Sequence, residues 1–277
     1  LGKDVLAVIG AHFLGVAEEI PALQSLCEAH GVTVIEDSAQ KVPGAGGFDA
    51  CGDLVVLSFG RGKPAGALGG GALLFRAERF DPGFVKRHIG DSPQARAPVG
   101  WRRMAYNAAI RPVPFGLASR LPGLELGVTR YRPLEGIFGA GQGLLMHALS
   151  GWANARRHPG RAQTLYAEAI GRLADARPLP AMAAQPTVPL GRYPVLAASA
   201  AMRDALYGRL RAAGLGPSVM YGAPLSAIDG IPVPRRPDLG NATDFAARLL
   251  TLPTHSDVSD REVARIVDII AGTVKSG

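Results

Sequence analysis

The first 37 residues carry a strand–helix–strand pattern, and it limits what this chain can fold into. Residues 5–9 (V-L-A-V-I) form a short apolar run closed by Gly10. Residues 18–30 follow with helical spacing. Pro21 suits the first turn, Ile20, Leu23, Leu26 and Cys27 fall on one face, and Gly31 is placed as the C-terminal cap. Residues 32–35 are apolar again and end in Glu36-Asp37. This spacing predicts a βαβ unit with parallel strands and a right-handed crossover. Asp37 then lies at the C-terminal end of a parallel strand, the edge where open α/β sheets bind ligands.

A second apolar run, residues 54–59 (L-V-V-L-S-F), reads as a buried strand. It opens into a loop in which six of the next twelve residues are glycine, and a strand resumes over residues 70–75. Lys63 sits in that loop. The chain has five lysines against twenty-five arginines, so a lysine kept in a tight, apolar-flanked loop suggests a need for an amine. Arginine does not lose its proton in proteins, whereas a lysine can lose it and attack a carbonyl. The alternative is a glycine-rich turn with a solvated lysine.

Further along, residues 43–47 read as a loop. Residues 76–140 read as irregular, with a short helix around 99–109. Residues 142–157 predict a helix with Leu145, Leu149 and Trp152 on one stripe. Residues 162–177 predict another, with Leu165, Ala169 and Leu173 in phase. Residues 188–197 are strand-like around Tyr193-Pro194. Met202, Leu206 and Leu210 mark a helix closed by Gly214, and residues 215–221 read as a strand. A short helix over 242–250 and an extended piece over 250–253 follow. Ser259-Asp260-Arg261-Glu262 is a capping box that opens a last helix with Val263, Ile266, Val267 and Ile270 inward. The pattern is a parallel α/β unit followed by a smaller α+β unit.

At 277 residues, 47% hydrophobic and 19% charged, the composition is that of a globular protein of one large domain or two ordinary ones. No apolar run approaches the about 20 residues of a transmembrane helix, and no signal peptide is read. Cys27 and Cys51 make neither a disulfide framework nor a metal-ligand spacing, so both are expected reduced and buried in a cytoplasmic protein. The net charge of +7 is concentrated: residues 76–132 hold eleven Lys/Arg and four acids, and the remainder is balanced. Three readings of that segment stand: a solvated basic face; a surface for a ligand's phosphates or a partner; and a peripheral contact with an anionic membrane through 98–125, with Trp101, Met104, Phe115 and Leu117 inward. Nucleic acid is not expected, because no nucleic-acid-binding motif is present.

Singly, the polar residues at strand ends have plain explanations. Asp37 could cap the following helix, Ser58 could be satisfied by backbone, and His12 and His255 could be structural or exposed. Together, Asp37, Gln40 three residues on, then Ser58 and Lys63 twenty-one and twenty-six residues after Asp37, suit one cofactor, pyridoxal 5′-phosphate (PLP). A lysine amine bonds its aldehyde, an acid keeps its ring nitrogen protonated, and hydroxyls and backbone amides hold its phosphate.

These residues stand in stretches that resemble the DegT/DnrJ/StrS group of sugar aminotransferases. The stretches are A-V-I-G-A-H-F-L-G (7–15), H-G-V-T-V-I-E-D-S-A-Q (30–40), L-S-F-G-R-G-K (57–63) with the glycines after it, the helix pair at 142–177, Y-P-V (193–195), G-L-G-P-S-V-M-Y (214–221) and R-L-L-T-L-P-T-H-S-D-V-S-D-R-E-V (248–263). The resemblance implies an α/β PLP-dependent transferase fold, aspartate-aminotransferase-like. That means a partial, mainly parallel sheet with helices plus a smaller C-terminal α+β domain. It divides the chain into a PLP-binding large domain over 1–141, N-terminally incomplete and carrying the basic insertion 76–132, and a helical connection with the small domain over 142–277. By the same resemblance Lys63 matches the catalytic Schiff-base lysine, Asp37 the ring-nitrogen partner, Gln40 the residue near the ring hydroxyl, and Ser58 a phosphate contact.

The implied reaction moves an amino group from an amino acid, usually glutamate in this family, to a keto-sugar, usually nucleotide-linked, in a homodimer. Retention of Lys63 argues against the family's dehydratase branch, where a histidine replaces it. Several family features are not found. Members carry a further N-terminal portion before the equivalent of Leu1, with a phosphate-binding turn and the residue that stacks on the ring. The 43–47 loop is trimmed, Arg61-Gly62 and Pro64 replace the usual residues around the lysine, and an Asn-x-Arg segment is not recognisable. The competing expectation is therefore a truncated, non-catalytic relative that binds a partner or a membrane surface through its basic segment.

Overall fold

The computed structural model describes residues 1–42, 50–90, 104–106, 108–109, 133–134, 136–157, 160–172, 176–178, 188–228, 230–231 and 239–274. The chain divides into two compact units. The expectations for the 43–47 loop and for the membrane contact through 98–125 fall on residues that lie wholly or largely outside the described ones, as does the 99–109 helix.

The first unit is built on a four-stranded sheet of order β1 (Ala7–Ala11), β2 (Thr33–Asp37), β3 (Leu54–Ser58) and β4 (Gly71–Phe75). β1, β2 and β3 are parallel, with Ala11 opposite Asp37 and Asp37 opposite Val56; β4 returns antiparallel, with Ser58 opposite Gly71. The βαβ expectation holds: helix α1 (Ile20–Glu28) joins β1 to β2, and Gly31 after it takes the left-handed φ of +66° that a glycine adopts without strain. Ile20 and Cys27 of α1 pack with Val32 and Val34 in one core cluster. Leu26 does not join them and is half exposed. At 100° per residue it lies about 120° from Ile20, off the stripe.

A second cluster joins Val55, Leu57 and Phe59 to Ala148 of helix α3 (Gln142–Arg157), with Trp152 set edge-on to Phe59 at 5.1 Å between ring centres. Each large apolar side chain buried this way contributes about 1.5–3 kcal/mol. Asp53 fastens the start of β3. Its buried carboxylate accepts from the Val34 N–H at 2.9 Å and from Gln24 at 3.1 Å, and pairs with Arg79 at 2.6 Å. Residues 76–140 were expected to be irregular, yet Pro82–His88 is a helix (α2). Asp81 caps it by accepting from the Gly83 and Phe84 N–H groups, and Pro82 opens its first turn.

The second unit is an antiparallel sheet of order β5 (Ala176–Pro178), β6 (Arg192–Ala197) and β7 (Leu249–Pro253). Among the described residues four helices accompany it: α4 (Arg161–Ile170), α5 (Ala200–Ala212), α6 (Gly240–Arg248) and α7 (Asp260–Val274). α4 is shorter than the sequence suggests. Its buried residues are Ala162, Gln163, Tyr166 and Ile170, not the Leu165 stripe. Residues 176–178 leave the helical pattern because they pair with Val195–Ala197, a tertiary override of local spacing. Residues 215–221 are likewise not a strand. Only Ser218 bridges Thr251, and Gly214 and Gly216, both at positive φ, turn the chain on either side of Leu215. In the last helix Ser259 and Glu262 form the expected capping box, and Val263, Ile266 and Ile270 are buried, while Val267 is half-buried. Among the described residues no helix is long and apolar enough to cross a membrane, and both cysteines are free, Cys27 buried and Cys51 half-buried.

Candidate active site

The C-terminal edge of the parallel strands gathers the polar residues that the sequence singles out. Asp37 is the last residue of β2 and Ser58 the last of β3. Lys63 lies in the loop that leaves the sheet after Ser58 and returns at Gly71. That loop is folded back on itself: Phe59 donates to the Gly70 carbonyl, Ala67 and Gly69 both donate to the Phe59 carbonyl, and Gly66 donates to the Lys63 carbonyl. Gly62, Gly66 and Gly70 have positive φ, which lets a twelve-residue excursion close this tightly. Leu68 shares that conformation at a cost of about 1–2 kcal/mol.

The loop is anchored from beneath. Ala65 and Ala67 are buried in the Phe59 cluster, which leaves Lys63 half-buried above them. Burial holds the Lys63 amine below its ordinary value, and the Asp37 carboxylate opposes that shift by favouring the charged form. Lys63 and Asp37 therefore share one electrostatic environment. Ser58 reaches the same neighbourhood. Its Oγ accepts from the Gly60 N–H at 3.4 Å, and a Cβ on Gly60 would lie 3.4 Å from that oxygen and 3.7 Å from Lys63 Cγ. Gly60 thus spaces the hydroxyl from the lysine stem. Asp37 Oδ1 accepts from the Ala39 N–H at 2.9 Å. Gln40, the residue after Ala39, is half-buried, with its backbone carbonyl against Gly15.

Beside Asp37 lies a buried pair. His12, which the sequence leaves as structural or exposed, is buried and hydrogen-bonds Glu36 at 2.9 Å. Glu36 also accepts from Ser38 Oγ and from the Cys51 and Gly52 N–H groups. Burial by itself raises the Glu36 carboxyl, but these hydrogen bonds outweigh it and hold it down at about 2. The signal for this pair is in the sequence: strand alternation puts Glu36 on the same face as Val34, toward the core. The other histidine after a strand-like run, His255, is exposed, 3.9 Å from Asp257. Among the described residues no cluster of His, Cys, Asp or Glu could hold a metal.

Taken together, the edge offers an amine held closer to neutral, a carboxylate that acts on it, and a hydroxyl beside a glycine. A sequence profile for the DegT/DnrJ/EryC1/StrS aminotransferase family matches residues 3–87 and 144–271. The chain is 25% identical to a UDP-N-acetyl-3-dehydro-alpha-D-glucosamine 3-aminotransferase of Acidithiobacillus ferrooxidans, over 97% of this chain and 64% of that protein. Among solved structures, a DegT DnrJ EryC1 StrS aminotransferase from Brucella abortus superposes with a TM-score of 0.62 at 20% identity, covering 96% of this chain and 64% of that one. PseC of Helicobacter pylori, an aminotransferase involved in pseudoaminic acid biosynthesis, gives 0.65 at 16% identity, covering 100% and 69%. The 3-amino-5-hydroxybenzoic acid synthase gives 0.68 at 17% identity, also covering 100% and 69%. At these identities the structures establish the shared aminotransferase fold. The chain spans about two thirds of the length of the relatives that it matches.

Proposed function

This chain belongs to the DegT/DnrJ/EryC1/StrS aminotransferase family, and on that premise we propose that Lys63, Asp37, Gln40 and Ser58 form a pyridoxal 5′-phosphate site. We further propose that the protein transfers an amino group from glutamate to a nucleotide-linked keto-sugar. The observation that carries this reading is the half-buried Lys63, whose amine burial makes easier to deprotonate while Asp37 acts on it across the sheet edge. The donor set fits the cofactor: an amine for its aldehyde, a carboxylate for its ring nitrogen, and a hydroxyl with a neighbouring backbone N–H for its phosphate. The name of the Acidithiobacillus relative supports a nucleotide-sugar acceptor.

When bound, the cofactor supplies an electron sink for the carbon that bears the amino group. The rest of the chemistry falls to the chain's own side chains. Lys63, once neutral, is the nucleophile; freed again, its Nζ takes a proton from one side of the reacting centre and returns it to another. Its lowered basicity favours both tasks. Asp37, at the strand end, would face the ring nitrogen and favour its protonated form. Ser58 Oγ, at the mouth of the loop, would donate to the phosphate, and Gln40 would stand beside the ring hydroxyl. The same reading makes the enzyme a cytoplasmic homodimer.

The test is the first half-reaction. The chain is incubated with pyridoxal 5′-phosphate and glutamate, and 2-oxoglutarate is measured. Release in the native chain that disappears in Lys63→Ala is expected. Release that persists in Lys63→Ala would take the role away from this lysine.

A further inference from the structure

β2 ends in two adjacent carboxylates, and alternation sends them to opposite faces of the sheet. Asp37 belongs to the proposed site. Glu36 has no part in that chemistry, yet it is the more elaborately held of the two. Its Oε1 accepts from His12 Nε2 at 2.9 Å and from Ser38 Oγ at 2.9 Å, with Lys41 Nζ at 3.6 Å. Its Oε2 accepts from the Cys51 N–H at 2.9 Å and the Gly52 N–H at 3.1 Å. A carboxylate has about four lone-pair sites, so this one is filled. Gly52 also leaves Glu36 its space, because a Cβ there would lie 2.9 Å from Glu36 Cβ.

His12 completes the arrangement with a fixed tautomer. The Glu18 N–H donates to His12 Nδ1 at 2.9 Å, so Nδ1 is an acceptor and the ring proton sits on Nε2, aimed at Glu36. The backbone N–H of the same histidine donates to the Asp37 carbonyl at 3.0 Å. His12 therefore grips Glu36 through its side chain and Asp37 through its main chain. Ser38, on the other side of Asp37, bonds Glu36 through its hydroxyl and the Val56 carbonyl through its N–H, at 2.9 Å in each case.

We propose that His12 and Glu36 are a positioning pair for Asp37, a buried clamp that fixes the last residue of β2 and so the direction in which the Asp37 carboxylate meets Lys63. The inference rests on the reading of Asp37 as the acid of the site. Stability alone does not call for a carboxylate here, since well-packed apolar residues often replace buried ionic groups without loss. What the carboxylate adds is convergence: the exit of β1, the exit of β2 and the approach to β3 are tied to one group, one residue from the side chain that must be aimed.

The test needs no cofactor. The full chain is acylated at a series of pH values, and modification of Lys63 is followed by peptide mass mapping. Asp37→Asn removes the negative neighbour and should lower the Lys63 midpoint. Glu36→Gln, confirmed as folded by circular dichroism, should lower it in the same direction by about half a pH unit. That is a roughly threefold faster modification at a fixed pH below the midpoint. Ser38→Ala, which removes one hydroxyl from Glu36, should do the same to a smaller extent and serves if Glu36→Gln does not fold. A midpoint that stays or rises in the folded variants overturns the clamp, as does an Asp37→Asn midpoint equal to the native one. A native chain that takes up no pyridoxal 5′-phosphate would instead count against the proposed cofactor site, and leaves the acylation result to decide the clamp.

Discussion

Gly151 of α3 lies directly on the Ala65 carbonyl, so close that a Cβ on Gly151 would stand 1.8 Å from that oxygen. The helix and the Lys63 loop are thus packed backbone to backbone, two residues from the amine. Gly151→Ala must push either the helix or the loop away. The expected loss is about 2–4 kcal/mol in denaturant unfolding, the upper end of overpacking effects. An unfolding midpoint equal to that of the native chain would show that α3 does not press on the loop.

Glu36 makes the fold sensitive to acid in a defined window. Its carboxyl sits at about 2 in the folded chain against 4.5 as its ordinary value. A depressed folded-state value adds stability that is fully present above the unfolded value and is lost as pH falls through the folded one. The stabilisation, about 3 kcal/mol, is therefore present at neutral pH and fades between pH 4.5 and pH 2. The stability difference between the native chain and Glu36→Gln should shrink across that interval. A difference that is flat from pH 6 to pH 2 would contradict it.

In the second unit, Arg192 is the half-buried cation to probe. Its Nε donates to Thr251 Oγ1 at 2.8 Å, and its guanidinium donates to the carbonyls of Gly216 at 2.7 Å and Thr251 at 2.9 Å. Burial lowers it to about 10, only partly offset by Tyr166. Arg192→Lys keeps the charge but loses the planar fork that serves β7 and the 214–216 turn together. A loss of about 2 kcal/mol in thermal or chemical unfolding is expected.

The capping box of α7 gives a smaller effect. The Ser259 N–H donates to Glu262 at 2.8 Å and the Glu262 N–H donates back to Ser259 Oγ at 3.3 Å. Ser259→Ala should cost about 1 kcal/mol. Glu262→Gln should cost less, since an amide oxygen can still accept from Ser259. The order of the two unfolding midpoints checks the assignment.

The sheet is legible because its strands are short and apolar: run length alone puts Asp37 at a strand end, where it lies, and ends the next strand at Phe59, one residue past its observed end at Ser58. The capping box and the Gly31 and Gly214 helix exits were legible for the same local reason. What could not be read depends on distant chain. Ala65 and Ala67 carry little hydropathy, so their burial under Lys63 follows only from where α3 crosses them. Gly151 reads as a weak spot in a helix until the Ala65 carbonyl is seen against it. Residues 176–178 look helical until β6 captures them. The Asp81-Pro82 cap of α2 and the inward phase of Glu36 beside Val34 are local signals of the same kind as the capping box. The basic segment 76–132 is described only up to Gly90 and at residues 104–106 and 108–109, so its three readings stand as the sequence leaves them.

The most direct measurement is reductive trapping. The chain is mixed with pyridoxal 5′-phosphate, treated with borohydride, digested and mapped by mass spectrometry. Its five lysines are Lys3, Lys41, Lys63, Lys86 and Lys275. One cofactor adduct at Lys63, absent from Lys63→Ala and diminished in Asp37→Asn, is the predicted result. No adduct, or adducts spread over the other lysines with Lys63 unmodified, would contradict a site centred on Lys63.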